Sequence, residues 1–371
     1  MKHRAARFVR ATSSRAGGRD CMLAPVDGRP IRVAVSGEGH AHVSGDKRCA
    51  SVWSCPTCAP KIRQRRAEEL TQLVEAVQAS GGSAVLVTAT MPHTRADDLR
   101  GLLDDLGAAW RAVWSGRWAN ELRERFGIVG QVRTVELTYG ERSGWHPHVH
   151  AVLIFEQALS GAELVELWAP LIVKWQDVAQ RVTGRRPDSL GCLDVRPVVD
   201  ARAISEYVTD TGGWSIGAEL AAGPVKIGRS RGRWSPFALL AAAACWGDAE
   251  AAELWWCYER ATAGRRAIVA SRGLLDRYGI GQVAEEDAAG GPEAEDVLGA
   301  VELDAMQWAA LHAVDAVSVF LGAVEAWAVA GATGPPPDPV EHVRAAVVLR
   351  RGVISRATIR GAPGGLRRPR W

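Results

Sequence analysis

At 371 residues, 47% of them hydrophobic and 23% charged, the chain has the composition of an ordinary soluble protein. It can bury a proper core as one large or two medium domains. No apolar run reaches the ~20 residues that span a bilayer, and Met1-Lys2-His3-Arg4 leads into polar sequence rather than a signal-peptide core, so a cytoplasmic protein with no membrane partner is expected. The net charge of +3 hides an asymmetry: residues 1–66 carry 14 Lys/Arg against 4 Asp/Glu, which makes this end a candidate polyanion contact, Arg63, Arg65 and Arg66 included. Arg outnumbers Lys 40 to 5 throughout, so part of that signal is compositional.

Seven cysteines without a secretion signal argue against a disulfide framework. Cys49, Cys55 and Cys58 form C-x5-C-x2-C, and the turn Cys55-Pro56-Thr57-Cys58 is the kind by which two thiolates reach one zinc ion. Cys21 is the first choice for a fourth ligand of a structural Zn2+ site, with His40 or His42 as substitutes; the alternative is a set of buried free thiols. Cys192, Cys245 and Cys257 are isolated and read as core residues.

Beyond the cysteines, Ile62, Arg66, Leu70, Leu73, Val74 and Val77 follow helical spacing up to Gly81-Gly82. Residues 83–91 read as a buried strand stopped by Pro92. Leu99, Leu102, Leu103, Leu106, Trp110, Val113 and Trp114 mark the next helix, and a strand is expected from Ile128 to Thr138. A turn over Gly140–Gly144 then leads into Trp145-His146-Pro147-His148-Val149-His150 and the apolar run Ala151–Phe155, which predicts an antiparallel hairpin.

Side chains on a strand alternate between faces, so His148 and His150 point the same way and Val149 the other. Two adjacent neutral imidazoles suggest a divalent-metal site. Pro147 is better placed at a strand's start or edge than in its middle, which leaves His146 open as a third member. Glu136 would complete a three-ligand set; its alternative is an exposed strand residue paired with Arg133 or Arg142. For the whole row, the alternative is a surface feature beside a turn.

Helical spacing returns over Leu164–Val182, a strand is expected over Leu190–Val198, and Asp200 caps a helix that runs through Tyr207. The basic, Gly-punctuated loop from Lys226 to Trp234, with Lys226, Arg229 and Arg231, can track a nucleic-acid backbone. Pro236–Gly264 reads as two short helices. Residues 284–304 hold eight acids and no base and read as a linker to a helical tail. Among 15 tryptophans, Trp53, Trp145 and Trp234 are the candidates for stacking on bases, and no P-loop is present.

Three elements stand in order: Thr88-Ala89-Thr90 ending a strand, Glu136 followed by the histidine row, and Tyr207 on a helix. The chain resembles the HUH endonuclease superfamily, specifically the rolling-circle plasmid replication initiators of high-G+C Gram-positive bacteria; the knuckle Arg48–Cys58 is similar to the one that precedes the catalytic domain there. The resemblance covers roughly residues 20–280. It implies an α+β fold, an antiparallel sheet with packed helices related to RNA-recognition and ferredoxin-like cores; the whole chain then reads as a basic arm and zinc-binding module (1–66), a nuclease domain with a helical extension (67–283), and an acidic linker with a helical tail (284–371). It also implies Mg2+ or Mn2+ at His148, His150 and Glu136, attack by Tyr207 on single-stranded origin DNA to give a 5′-phosphotyrosine, later strand transfer, and host helicase and polymerase as partners.

Two positions depart from the family pattern. Asp210 stands where a lysine usually follows the tyrosine, leaving Lys226 or Arg202 to neutralise phosphate, and Ala203 stands where a glutamate is used for termination, leaving Glu206 or Asp210 as substitutes. A transposase or relaxase of the same superfamily, or a zinc-dependent nucleic-acid-binding regulator without catalysis, are the competing readings.

Overall fold

A computed structural model describes residues 2–26, 28–187, 190–204, 233–290 and 296–359. The chain folds as α+β with antiparallel sheets, in two units: residues 1–19 with 49–291, and residues 20–48 with 292–371.

The first unit is built on a six-stranded sheet. Its strands are β3 (Ser83–Thr90), β4 (Ile128–Gly140), β5 (Gly144–Phe155), β6 (Leu193–Pro197), β7 (Arg233–Trp234) and β8 (Ile268–Ala270), in the order β6-β3-β5-β4-β7, with β8 also on β4. The expected hairpin is present: β4 and β5 pair from Ile128↔Phe155 to Gly140↔Gly144. Gly144 lies at φ +76°, a left-handed conformation open to glycine at little cost, and a Cβ there would come within 2.8 Å of the Arg95 backbone. Pro147 sits inside β5, contrary to its expected position at a start or edge. Its neighbour β3 ends at Thr90↔His148, so at Pro147 the strand pairs with β4 alone and the missing N–H breaks no ladder on the β3 side.

Helices cover both faces. α4 (Leu99–Val113), α5 (Gly116–Phe126) and α6 (Gly161–Thr183) pack on the face carrying Val85, Val87, Val149, Ala151 and Leu153. The fully buried Trp175 of α6 donates its Nε1–H to Thr90 O (2.8 Å) and so ties down the end of β3. On the opposite face α3 (Cys58–Ala79) lays Leu70, Leu73, Val74 and Val77 over Leu86, Val132, Val152 and Ile154. That contact covers the apolar half of the face and leaves its polar half, with Thr88, Glu136, His148 and His150, for chemistry. The two short helices expected over 236–264 are α7 (Pro236–Trp246) and α8 (Ala249–Thr262). The basic N-terminal stretch forms α1 (Lys2–Thr12), where Phe8 stacks on Trp256; just after it, Ser13 Oγ donates to the buried carboxylate of Glu259 at 2.6 Å. α2 (Ala16–Asp20) follows, and the short α9 (Leu274–Arg277) and α10 (Glu285–Gly290) close the unit.

In the second unit β1 (Ile31–Val35) pairs on one side with β2 (Ala41–Ser44) and on the other with β9 (Gly299–Leu303). α11 (Ala305–Ala313), α12 (Val317–Val329) and α13 (Pro339–Ile359) complete it, with Ile31, Val33, Leu303, Trp308, Phe320 and Val324 in the core. The acidic stretch expected to be a linker therefore contains a strand and a helix. The division also differs from boundaries at 66 and 283, because residues 31–44 pair with a strand more than 250 positions away rather than with the cysteine segment. Among the described residues no single helix is long and apolar enough to cross a membrane.

Candidate metal centres

The register of the sheet brings Thr90, His148 and Glu136 into one cross-strand row and Thr88, His150 and Thr134 into the next. All six project from the same face. Glu136 Oε2 lies 2.7 Å from His148 Nε2 and 2.8 Å from His150 Nε2. A carboxylate only accepts, so both Nε2 atoms carry the proton here, and His150 Nδ1 accepts from the Thr88 hydroxyl at 3.0 Å. Glu136 is therefore a partner of the imidazoles and not of Arg133 or Arg142.

The electrostatics favour a metal-ready state. Burial would raise the Glu136 carboxyl, but hydrogen bonds from His148 and His150 outweigh it and hold the group well below the usual carboxylate range. Burial lowers His150 despite its bond to Glu136. His146 is pushed down to about 3, first by burial and then by the charges of His148, His93 and Arg233. A neutral imidazole is the form that binds a cation. The two Nε2 atoms and a carboxylate oxygen lie within 4.8 Å of one another, a set that could hold one metal ion in place of the two shared protons. The donor types suit Mg2+, Mn2+ or a harder transition ion, and the buried Thr134 Oγ1 and His148 Nδ1 have no partner among the described residues.

His146 does not join this set. Its Nδ1 donates to His93 Nε2 (3.2 Å), and His93 in turn donates from Nδ1 to Met91 O. His93 carries no signal in the sequence, where it stands alone after Pro92, three residues beyond the end of β3.

Thr88 holds His150 from behind, and its hydroxyl suits both tautomers: it donates to bare Nδ1 now and can accept from Nδ1–H once Nε2 is given to a metal. Thr88→Val is expected to weaken Mn2+ binding by about 10- to 100-fold with little change in fold. Titration calorimetry checks this, and an unchanged affinity would remove Thr88 from the site.

The second group is cysteine only. Cys49, Cys55 and Cys58 belong to the first unit, and Cys21, the first choice for a fourth ligand, belongs to the second. Cys49 Sγ and Cys58 Sγ are 3.9 Å apart, far beyond the ~2.05 Å of a disulfide. The Cys58 N–H points at Cys55 Sγ (3.4 Å), the turn expected of a knuckle. Such a group could bind zinc. Cys192 is buried in the core as expected.

The description "replication protein" belongs to the family model that matches residues 42–180. "Protein rep" of Streptomyces lividans is 32% identical over 309 residues, covering 67% of this chain and 68% of the relative. The chain belongs to the replication-protein family, the plasmid replication initiators of actinobacterial type. "Neomycin resistance protein" of Streptomyces cyanogenus is 30% identical over 224 residues, 52% of this chain and 50% of that one. No solved structure matches.

The remaining candidates of this replication protein fare differently. Arg63 and Arg66 are buried: Arg63 donates to Val52 O and lies over the Phe237 ring, while Arg66 pairs with Glu69 at 2.6 Å and donates to Val283 O. Neither presents its guanidinium to solvent. Arg65 is partly exposed and pairs with Glu68 and Glu69. Trp53 and Trp145 are also buried, packed against Tyr258, and so are core rings rather than stacking platforms; Trp234 is half-buried in β7. Asp200 caps the next helical turn as expected, its Oδ1 accepting from the N–H of Arg202 and of Ala203 at 2.9 Å. Tyr207, Glu206, Asp210, Lys226, Arg229 and Arg231 lie outside the described residues.

Proposed function

We propose that this replication protein is an HUH-type nicking and closing enzyme that starts rolling-circle replication of a plasmid. The observation that carries the reading is the Glu136–His148–His150 set on one face of an antiparallel sheet, in a chain of the replication-protein family. A divalent ion held by these three residues supplies Lewis-acid polarisation of a phosphoryl oxygen when bound.

Tyr207 is the nucleophile. Asp200 and Ala203, which precede it in the sequence, line a cavity of about 650 Å³ with Asp194, Arg196 and Thr88, the residue that supports His150. In the reaction a bond forms between the Tyr207 oxygen and phosphorus, the bond from phosphorus to the 3′ oxygen breaks, and that oxygen takes up the proton the phenol gives up. The products are a 5′-phosphotyrosine and a 3′-hydroxyl that host polymerase extends, with host helicase opening the duplex, in the cytoplasm. The ester keeps the phosphodiester energy, so closure by strand transfer needs no ATP. Zn2+ on Cys21, Cys49, Cys55 and Cys58 has a structural role, and Arg65, Lys226, Arg229 and Arg231 contact the strand.

The test is incubation with a labelled single-stranded origin oligonucleotide and Mn2+. A covalent adduct is expected from the unsubstituted protein and none from Tyr207→Phe. An adduct that survives the substitution assigns the nucleophile elsewhere, and no adduct at all favours a regulator that binds without cutting.

A further inference from the structure

Directly behind the histidine row, on the other face of the sheet, lies a cavity of about 340 Å³. Val149 lines it while its neighbours His148 and His150 face the opposite way, so this space is separate from the metal centre. Four arginines, Arg111, Arg133, Arg265 and Arg266, line this one small space.

Their charges are poorly balanced. Arg265 is committed, donating to Asp104 (2.7 Å) and to Ala261 O (2.8 Å). The guanidinium groups of Arg111, Arg133 and Arg266 make no hydrogen bond or ion pair among the described residues, where Asp104 is the only carboxylate paired with any of the four. Arg133 is half-buried on β4, and burial, then the charge of Arg111, depresses its pKa. Arg111 and Arg266 are exposed at the mouth, and their like charge beside the half-buried Arg133 raises the free energy of the folded chain unless something neutralises it. Guanidinium forks match the oxygens of a phosphate in bidentate fashion, and Leu103, Leu106 and Val149 give a low-dielectric wall that strengthens the pairing.

We propose that this cavity is a phosphate-binding site distinct from the nuclease centre, with Arg133 at its base and Arg111 and Arg266 at its rim. The shared chemistry is a phosphate group; it can come from a nucleic-acid backbone or from a small phosphate compound.

Two probes separate these sources, both applied to the full chain without added Mn2+. The first is inorganic phosphate, read as a thermal shift against chloride of equal ionic strength. The second is a short DNA duplex, read as the slope of log affinity against log salt. The unsubstituted protein is expected to be stabilised by phosphate beyond chloride, with affinity falling at least ~10-fold in Arg133→Gln and in Arg111→Gln. Arg133→Lys, which keeps the charge but not the fork, should recover only part of it. A duplex slope lower by about 1 in these variants assigns the phosphate to a DNA backbone; an unchanged slope with lost phosphate binding assigns a small compound. Without phosphate, Arg133→Gln should melt no lower than the parent, because it relieves repulsion. The proposal is overturned if phosphate and chloride act alike and the slope is unchanged, or if Arg133→Gln lowers stability while leaving phosphate affinity intact. Adduct formation by Tyr207 is a separate readout, so failure here leaves the nicking reading standing.

Discussion

His150→Gln is expected to slow Mn2+-dependent nicking of a single-stranded origin oligonucleotide by roughly 10³-fold, the equivalent of several kcal/mol of lost transition-state stabilisation. The His150 side chain is 2% exposed and is held at Nε2 by Glu136 and at Nδ1 by Thr88. Glutamine is polar and can still donate to Glu136, so it limits the disturbance of the buried pocket while removing the imidazole donor. His148→Gln should behave alike, since Glu136 Oε2 is shared at nearly the same distance. His146→Gln should have a much smaller effect, because that imidazole pairs with His93 instead. Single-turnover rates, with circular dichroism to confirm folding, check the series. A His150→Gln rate within ~10-fold of the parent would contradict a metal role for the row.

Loss of the cysteine site is expected to act on folding rather than on chemistry. Cys58 is fully buried and begins α3, the helix that covers the apolar half of one face of the six-stranded sheet. A structural zinc ion contributes ~10–16 kcal/mol of apparent binding energy that becomes folding energy. Cys58→Ser should therefore drop bound zinc from about one ion per chain to near none and lower the melting temperature markedly, and a strong chelator should do the same to the parent. Zinc content by atomic emission, measured beside thermal melts, checks it. Full zinc retention in Cys58→Ser would contradict the assignment.

Much of the first unit was legible in the sequence because its signals are local and periodic. The strand expected over 83–91 is Ser83–Thr90, and the turn at Gly140–Gly144 fixes a register that puts Glu136 opposite His148. Strand periodicity alone does not choose between metal ligand and ion pair for Glu136, since its pairing distance depends on that register. α5 went unread: its buried side is only Ala119, Leu122 and Phe126, set among charged residues that mask the stripe. β1, β2 and β9 were missed for another reason. Each is four or five residues long, and β9 sits in an acidic run, so only its non-local pairing with β1 identifies it as a strand. The arginines drawn from the basic end illustrate the same limit. Charge density marked Arg63 and Arg66, but the fold spends them on Val52 O, Phe237, Glu69 and Val283 O. The unbalanced cluster lies instead at Arg111, Arg133 and Arg266, three positions brought together only by the packing of α4 against β4 and β8.

The most direct measurement of the central claim is peptide mapping of the covalent product. After reaction with the origin strand and Mn2+, protease digestion and mass spectrometry should find the 5′-phosphate-linked nucleotide on the peptide that contains Tyr207, and on no other. The nucleotide attached to a different peptide, or a cut strand with no protein attached to it, would contradict the account.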